Sequence, residues 1–409
     1  MTLEIRPCTD DELPAWVATF RAAFGGQPGG GDAESWRPTW ERERSLAAFD
    51  DGAMVGTAGA FSFDLTLPGL TSTPVAGVTA VGVLPTHRRQ GILTRLMARQ
   101  LADVAERGEA LAILLASESI IYGRFGYGLA SFIAAYALAV ERAALATPPT
   151  AGGRVRLVDK DEAAKVLPTI YDAARRRQPG AVTRNQSWWD THFTDRPDWR
   201  GGASARFMAV HESPTGEADG YVSYRIKSGW GDTGPDSELR IEDLCAVDDG
   251  IEAVLWRYCS EVDLVRTVKA FNRPVDEPFR MRLADPRQLR STRVGDFLWA
   301  RILDVPAALG ARRYPVADRL VLEVADRFRP DTSGRYAVEG GPDHAACTRT
   351  DDQPDLALSI ADLGALYLGG VRATTLAGAG RVEERTPGAL ARANLFFGSD
   401  RAPYCATGF

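Results

Sequence analysis

The stretch V-T-A-V-G-V-L-P-T-H-R-R-Q-G-I, residues Val78 to Ile92, narrows the choice of folds more than any other part of the chain. A strand-like run closes at Pro85, two arginines and a glycine follow, and Ile92, Leu93, Leu96, Met97, Leu101 and Val104 then recur at helical spacing. A strand that feeds a helix through a short turn belongs to α/β architecture. The turn also carries chemistry. The first N–H groups of a helix lack intrahelical partners and bear partial positive charge, so they attract anions. Gly91 lets a phosphate approach the backbone without a Cβ in the way, and Arg88 and Arg89 add charge and donors. The junction reads as a pyrophosphate cradle. The bland alternative is a solvated basic helix start in which Gly91 is merely tolerated.

At 409 residues the chain exceeds one ordinary domain and points to two or three. Its balance of 45% hydrophobic and 25% charged residues is that of a globular protein. A membrane helix needs about 20 apolar residues in succession, and none is present. The start, M-T-L-E-I-R-P-C-T-D-D-E, has acids where a signal peptide needs a basic end and an apolar core, so a cytoplasmic location is expected. Cys8, Cys245, Cys259, Cys347 and Cys405 are scattered and read as free thiols. His87, His192, His211 and His344 lie too far apart for a zinc motif, and no metal is expected. A net charge of −6 argues against nucleic acid and favours a cationic small molecule as partner.

Residues 1–146 alternate strands and helices. Thr9 to Glu12 fits a capping box ahead of Leu13, Trp16, Val17, Phe20 and Phe24 at helical spacing. Gly25 to Asp32 reads as a mobile glycine-rich loop, Leu46 to Leu67 as a hairpin turning at Asp51-Gly52, and Ala110 to Ala116 and Ser131 to Val140 as strands. A Pro/Gly-bearing linker at 147–153 precedes a second region, 154–292, that repeats the plan. Its strand-to-helix junction reads A-V-D-D-G-I-E-A, with aspartates where the first has arginines. The third region is 296–409, with a helix start at Asp304-Val305-Pro306 and strands at Arg319 to Ala325 and Gly334 to Glu339. The expected fold class is α/β, with mixed α+β sheets in each region.

V-G-V-L-P-T-H-R-R-Q-G-I-L-T-R-L-M resembles the acetyl-CoA motif of the GCN5-related N-acetyltransferases (GNAT). The string I-Y-G-R-F-G-Y-G, within Ala116 to Ala130, is similar to the Eis (enhanced intracellular survival) family, as is R-R-R-Q-P-G at 175–180 with Trp188-Trp189. The resemblance covers essentially the whole chain. It implies two tandem GNAT-like domains, the second degenerate, followed by a sterol-carrier-like domain. It also implies acetyl-CoA as co-substrate. Val81, Gly82 and Val83 would meet pantetheine, Arg88, Arg89, Gln90, Gly91, Ile92, Leu93 and Thr94 would wrap the phosphates, and Ser117 and Glu118 would lie along the cofactor's path. Tyr122 is the implied general acid, with Tyr127 as competitor. Arg175 to Arg177 read as structural.

Acetyl transfer to a primary amine needs an uncharged nitrogen, whereas an alkylamine of pKa ~10.4 is protonated at neutral pH. His87 sits among arginines and is a poor base. The family resemblance implies instead the α-carboxylate of the terminal Phe409. Asp32, Glu34 and Trp36 are the expected amine-binding residues. Gly408 stands where some relatives carry an acid, which bears on polycationic substrates. The expected activity is N-acetylation of aminoglycosides, other polyamines or lysine, in a hexamer by resemblance. The alternatives are a lipid or sterol carrier, or an acyl-CoA-binding regulator without turnover.

Overall fold

The structure, a computed structural model, describes residues 3–27, 32–232 and 234–409, so positions 28–31 of the expected glycine-rich loop fall outside it. The first sheet is built from β1 (Leu3–Pro7), β2 (Leu46–Asp50), β3 (Ala53–Thr66), β4 (Ser72–Val83) and β5 (Leu111–Leu115) in that order. The β2–β3 hairpin turns at Asp51 (φ 48) and Gly52 (φ 81), the left-handed pair that a tight two-residue hairpin requires. Helix α1 (Leu13–Ala23) follows a capping box in which the Glu12 carboxylate accepts from the Thr9 N–H at 2.9 Å. It buries Leu13, Trp16 and Val17 on one face of the sheet against Ala47, Phe49 and Ala80. A short helix, α2, spans Asp32–Trp36. Helix α3 (Ile92–Glu106) buries Ile92, Leu96, Met97, Leu101 and Val104 on the other face against Val55, Ala58, Ala60, Val78 and Leu114. Each such side chain contributes roughly 1.5–3 kcal/mol on burial. The sheet is therefore gripped from both sides, and the β4-to-α3 junction is held at its edge. Beyond β5 lies α4 (Ser119–Tyr122).

The sheets do not divide at the boundaries read from the sequence. After β5 the first sheet continues with strand Leu298–Ile302, paired antiparallel with β5, and closes on β6 (Gly128–Leu129). Strand β7 (Phe132–Ala139), expected in the first region, pairs with Val265–Arg273 and Leu289–Asp296 in the second sheet. Leu298–Ile302, expected in the third region, belongs to the first sheet. Short buried strands such as F-I-A-A-Y-A-L-A and L-W-A-R-I carry no signal of their partner.

One compact unit comprises residues 1–131, 297–400 and 407–409, and the other 132–296 and 401–406. In the first unit a further five-stranded sheet packs with helix Ile360–Tyr367, all eight residues of which are buried. Asp304 caps helix Val305–Ala311, as its sequence implies, by accepting from Ala307 N–H at 2.9 Å. The fully buried Arg301 donates to Asp326 at 2.5 Å, and Asp326 also accepts from Thr332 and from the Phe328 and Arg329 amides.

In the second unit the order is Leu289–Asp296, β7, Val265–Arg273, Ser237–Ala246, Ala218–Lys227, Phe207–Glu212 and Arg154–Val158. Asp248 caps helix Asp249–Ser260 through Ile251 N–H at 2.9 Å. Arg175 and Arg176 pair with Asp172, and Arg177 donates to the Val247 carbonyl, so the arginine run serves the structure. The segment 401–406 is held there by polar contacts. Arg401 meets both oxygens of Asp249 at 2.8 Å, Ala402 N–H donates to Asp276 and Tyr404 N–H to the Pro179 carbonyl. Asn272 donates to the Cys405 carbonyl, and Gln178 to that of Ala402.

Replacing Asp326 by Ala strands the buried Arg301 cation. Breaking a buried pair by removing one partner costs about 3–5 kcal/mol. A clear fall in the urea midpoint is expected, and an unchanged midpoint would show the pair to be dispensable.

Candidate active site

Strands β4 and β5 run parallel but pair only from Ala76 to Val78 against Ala112 to Leu114. Beyond that point they diverge, and a cleft of about 660 Å³ opens between them. Val81, Gly82 and Val83 form one wall, Ser117, Glu118, Ile121, Tyr122 and Arg124 the other, and the α3 start closes the end. Gly91 is the N-cap of α3, with φ +79, and a Cβ there would meet nothing within 4 Å. Arg89 is also left-handed at φ 65 and lines the cleft. The turn thus presents the open N-terminus of a 15-residue helix, flanked by cationic side chains, to the cleft.

Of the expected cofactor residues, Val81, Gly82, Val83, Arg88, Arg89, Gly91, Ile92, Leu93, Thr94, Ser117 and Glu118 line this one cavity, as do His87 and the unforeseen Phe24. Gln90 is not among the lining residues. Arg88 also has a structural task, because its guanidinium donates to the Ala23 carbonyl at 2.9 Å and ties the cleft to the end of α1.

The two tyrosines differ in surroundings. Tyr122 is largely buried yet lines the cleft. Burial raises its phenol above the ordinary tyrosine value, a hydrogen bond with Ser117 opposes the rise, and Glu118 adds to it. Tyr127 packs edge-on against Tyr122 at 6.0 Å, is fully buried, and its hydroxyl has no hydrogen-bond partner among the described residues. Burial raises Tyr127 as well, and it does not line the cleft.

Phe409 lies in the same unit, against the first sheet. Its ring is 5.2 Å from that of Phe63, and a Cβ at Gly77 would come within 2.5 Å of Phe63 and 3.3 Å of Phe409. Gly77 is therefore what lets both rings lie on β4. Phe409 does not line the β4–β5 cleft. A row of aromatic contacts nevertheless runs from the cleft to the terminus, Phe24 to Phe20 (6.4 Å), Trp36 (4.9 Å), Phe61 (6.1 Å), Phe63 (5.9 Å) and Phe409. The sequence places Trp36 at the site; it gives Phe20 and Phe24 only as helix positions and does not single out Phe61 and Phe63. The i, i+2 spacing of Phe61 and Phe63 on one strand face was the available signal. Asp32 and Glu34 do not stand as bare acids. Asp32 pairs with Arg21 at 3.1 Å and Glu34 with Arg37 at 3.3 Å. Among the described residues no three His, Cys, Asp or Glu cluster as metal ligands, and no helix is long and apolar enough to cross a membrane.

Comparison with known proteins matches three successive parts of the chain. An acetyltransferase (GNAT) domain profile matches residues 4–130, a second matches 180–302, and a sterol carrier protein domain matches 305–406. An uncharacterized N-acetyltransferase of Streptomyces avermitilis is 41% identical over the full length of both chains. N-acetyltransferase Eis of Mycobacterium tuberculosis is 34% identical over 98% of each. The crystal structure of Eis1 from Mycobacterium abscessus superposes with a TM-score of 0.88 at 34% identity, covering 99% of this chain and all of the other. With full-length relatives of this kind, paired GNAT domains and a sterol-carrier domain in the same order, the chain belongs to the Eis family of GNAT N-acetyltransferases.

Proposed function

We propose that the β4–β5 cleft holds acetyl-CoA and that the chain transfers its acetyl group to a primary amine of the aminoglycoside, polyamine or lysine type. The observation that carries this reading is the convergence, on one cavity, of an unpaired strand edge, an arginine-bearing helix start and a tyrosine hydroxyl. Backbone groups of Val81 to Val83 have no β5 partner and suit an amide-bearing arm that pairs like a strand. The Arg89–Gly91 turn and the first N–H groups of α3 suit its phosphates. Acetyl-CoA, when bound, would supply the acyl group as a thioester. Everything else is the work of this chain's own groups.

In the proposed reaction a C–N bond forms and the C–S bond breaks. Tyr122 gives its phenolic proton to the departing sulfur, and the Phe409 carboxylate takes the proton that the amine must shed. A backbone N–H near Val83 polarises the thioester oxygen. The ring faces of Trp36 and its aromatic neighbours suit an ammonium group. Asp32 and Glu34, each bound to an arginine, contribute less negative charge than the bare sequence implies. Thiol release from acetyl-CoA in the presence of an amine panel tests the activity as a whole, and no amine-dependent release from any member would contradict it.

Tyr122→Phe keeps the ring and removes the acid. We expect kcat to fall by about 10²–10⁴-fold with acetyl-CoA affinity little changed. The sign of the pH dependence follows from burial. A raised phenol stays protonated to higher pH, so any alkaline loss of kcat due to Tyr122 belongs above the ordinary tyrosine value of ~10. A larger loss in Tyr127→Phe would reverse the choice between the two.

Adding one or two glycines after Phe409 moves the terminal carboxylate by ~3.5 Å per residue. Proton transfer tolerates heavy-atom separations of ~3 Å or one bridging water. The extended enzyme should bind acetyl-CoA normally and lose most amine acetylation. Near wild-type turnover from pH ~6 to ~9 in the extended enzyme would remove the carboxylate from the mechanism.

A further inference from the structure

Strand β4 contains an irregularity where it enters the cleft. Gly82 pairs with Thr57 and Thr79 with Gly59, so two residues, Ala80 and Val81, stand opposite the single residue Ala58. Ala80 has φ 48, a left-handed conformation that a residue with a Cβ adopts at a cost. The extra residue reverses the strand's facing. Val78 and Val81, three apart rather than two, both pack toward α3, while Ala80 turns to the α1 face beside Trp16. Parallel pairing with β5 ends at Val78, with only Thr79 between it and the bulge.

A bulge disrupts the hydrogen-bond ladder and leaves backbone groups in need of other partners. Here the Ala80 carbonyl accepts from the Thr57 hydroxyl at 2.7 Å, and both residues are buried. Thr57 has no exposed surface, at a strand position where Val would serve packing equally well. Most buried hydroxyls in folded proteins have a hydrogen-bond partner, and the partner of this one is the bulge itself. We propose that Thr57 is a positioning residue for the cleft: by holding the Ala80 carbonyl it fixes the bulge that turns the Val81–Val83 edge away from β5 and toward the ligand. The proposal rests on the reading of that cleft as the acetyl-CoA site.

The test is calorimetry of acetyl-CoA binding to full-length variants, with the KM values for acetyl-CoA and amine alongside. Thr57→Val preserves shape and removes the donor. It should raise the acetyl-CoA Kd and KM about 10-fold, because the Ala80 carbonyl loses a buried partner, and shift the amine KM less than about 2-fold. Thr57→Ser should restore affinity to within about 3-fold of wild type. Thr66→Val on the same strand removes a buried hydroxyl without a hydrogen-bond partner among the described residues and should behave as wild type. Should Thr57→Val not fold, the pair Thr57→Ser and Thr57→Ala isolates the hydroxyl, and equal affinities in that pair overturn the proposal. Wild-type affinity in Thr57→Val overturns it too. If Gly91→Val is at the same time impaired, the cleft reading survives that result. If Gly91→Val also binds normally, the cleft reading fails as well.

Discussion

The end of pairing between β4 and β5 after Val78 and Leu114 is the constraint from which the site follows. A sheet held on one face by α1 and on the other by α3 cannot lose two central strands at once. It can let them splay at one end, where the bulge at Ala80 and Val81 redirects β4. The splay makes a slot walled on one side by the end of β4 and on the other by Ser117 to Arg124, just beyond β5. Because α3 begins where β4 ends, the slot also meets a helix N-terminus. Strand edge, arginine-bearing turn and Tyr122 thus meet beside one local departure from regular pairing.

The last nine residues serve two bodies. Arg401 to Ala406 are fastened within the second unit by Asp249, Asp276, Asn272, Gln178 and the Pro179 carbonyl. Thr407 to Phe409 belong to the first unit, where Phe409 lies on Phe63 and Gly77. This is not the pattern of a loose tail, whose groups are usually solvated. The second unit's own strand-to-helix junction is occupied in the same way. Asp248 caps its helix and Asp249 binds Arg401, so the acids that replace the arginines serve structure.

Much of this was legible in the sequence because it is encoded by local pattern. The β4 strand, the Arg-Gly turn and the amphipathic α3 are contiguous, and eleven of the twelve expected cofactor residues line one cavity, Gln90 being the exception. The hairpin at Asp51-Gly52 and the capping box at Thr9 follow from turn and cap chemistry. What escaped is non-local. Nothing in F-I-A-A-Y-A-L-A says that β7 joins the second sheet, since an all-apolar run suits any buried strand. The pairing of Asp32 with Arg21 depends on how α1 and α2 meet. The bulge hid because V-T-A-V-G-V reads equally well as an uninterrupted strand, and only the hydroxyl of Thr57, far upstream, marks where it breaks.

Hydrogen–deuterium exchange of the full-length protein, with and without saturating acetyl-CoA, tests the central claim most directly. The account predicts slowed exchange across residues 81–94 and 117–124, the walls and closed end of the β4–β5 cleft, and no change in the helix Asp249–Ser260 of the second unit. Protection of that helix in their place, or unchanged exchange at 81–94 with acetyl-CoA bound, would contradict it.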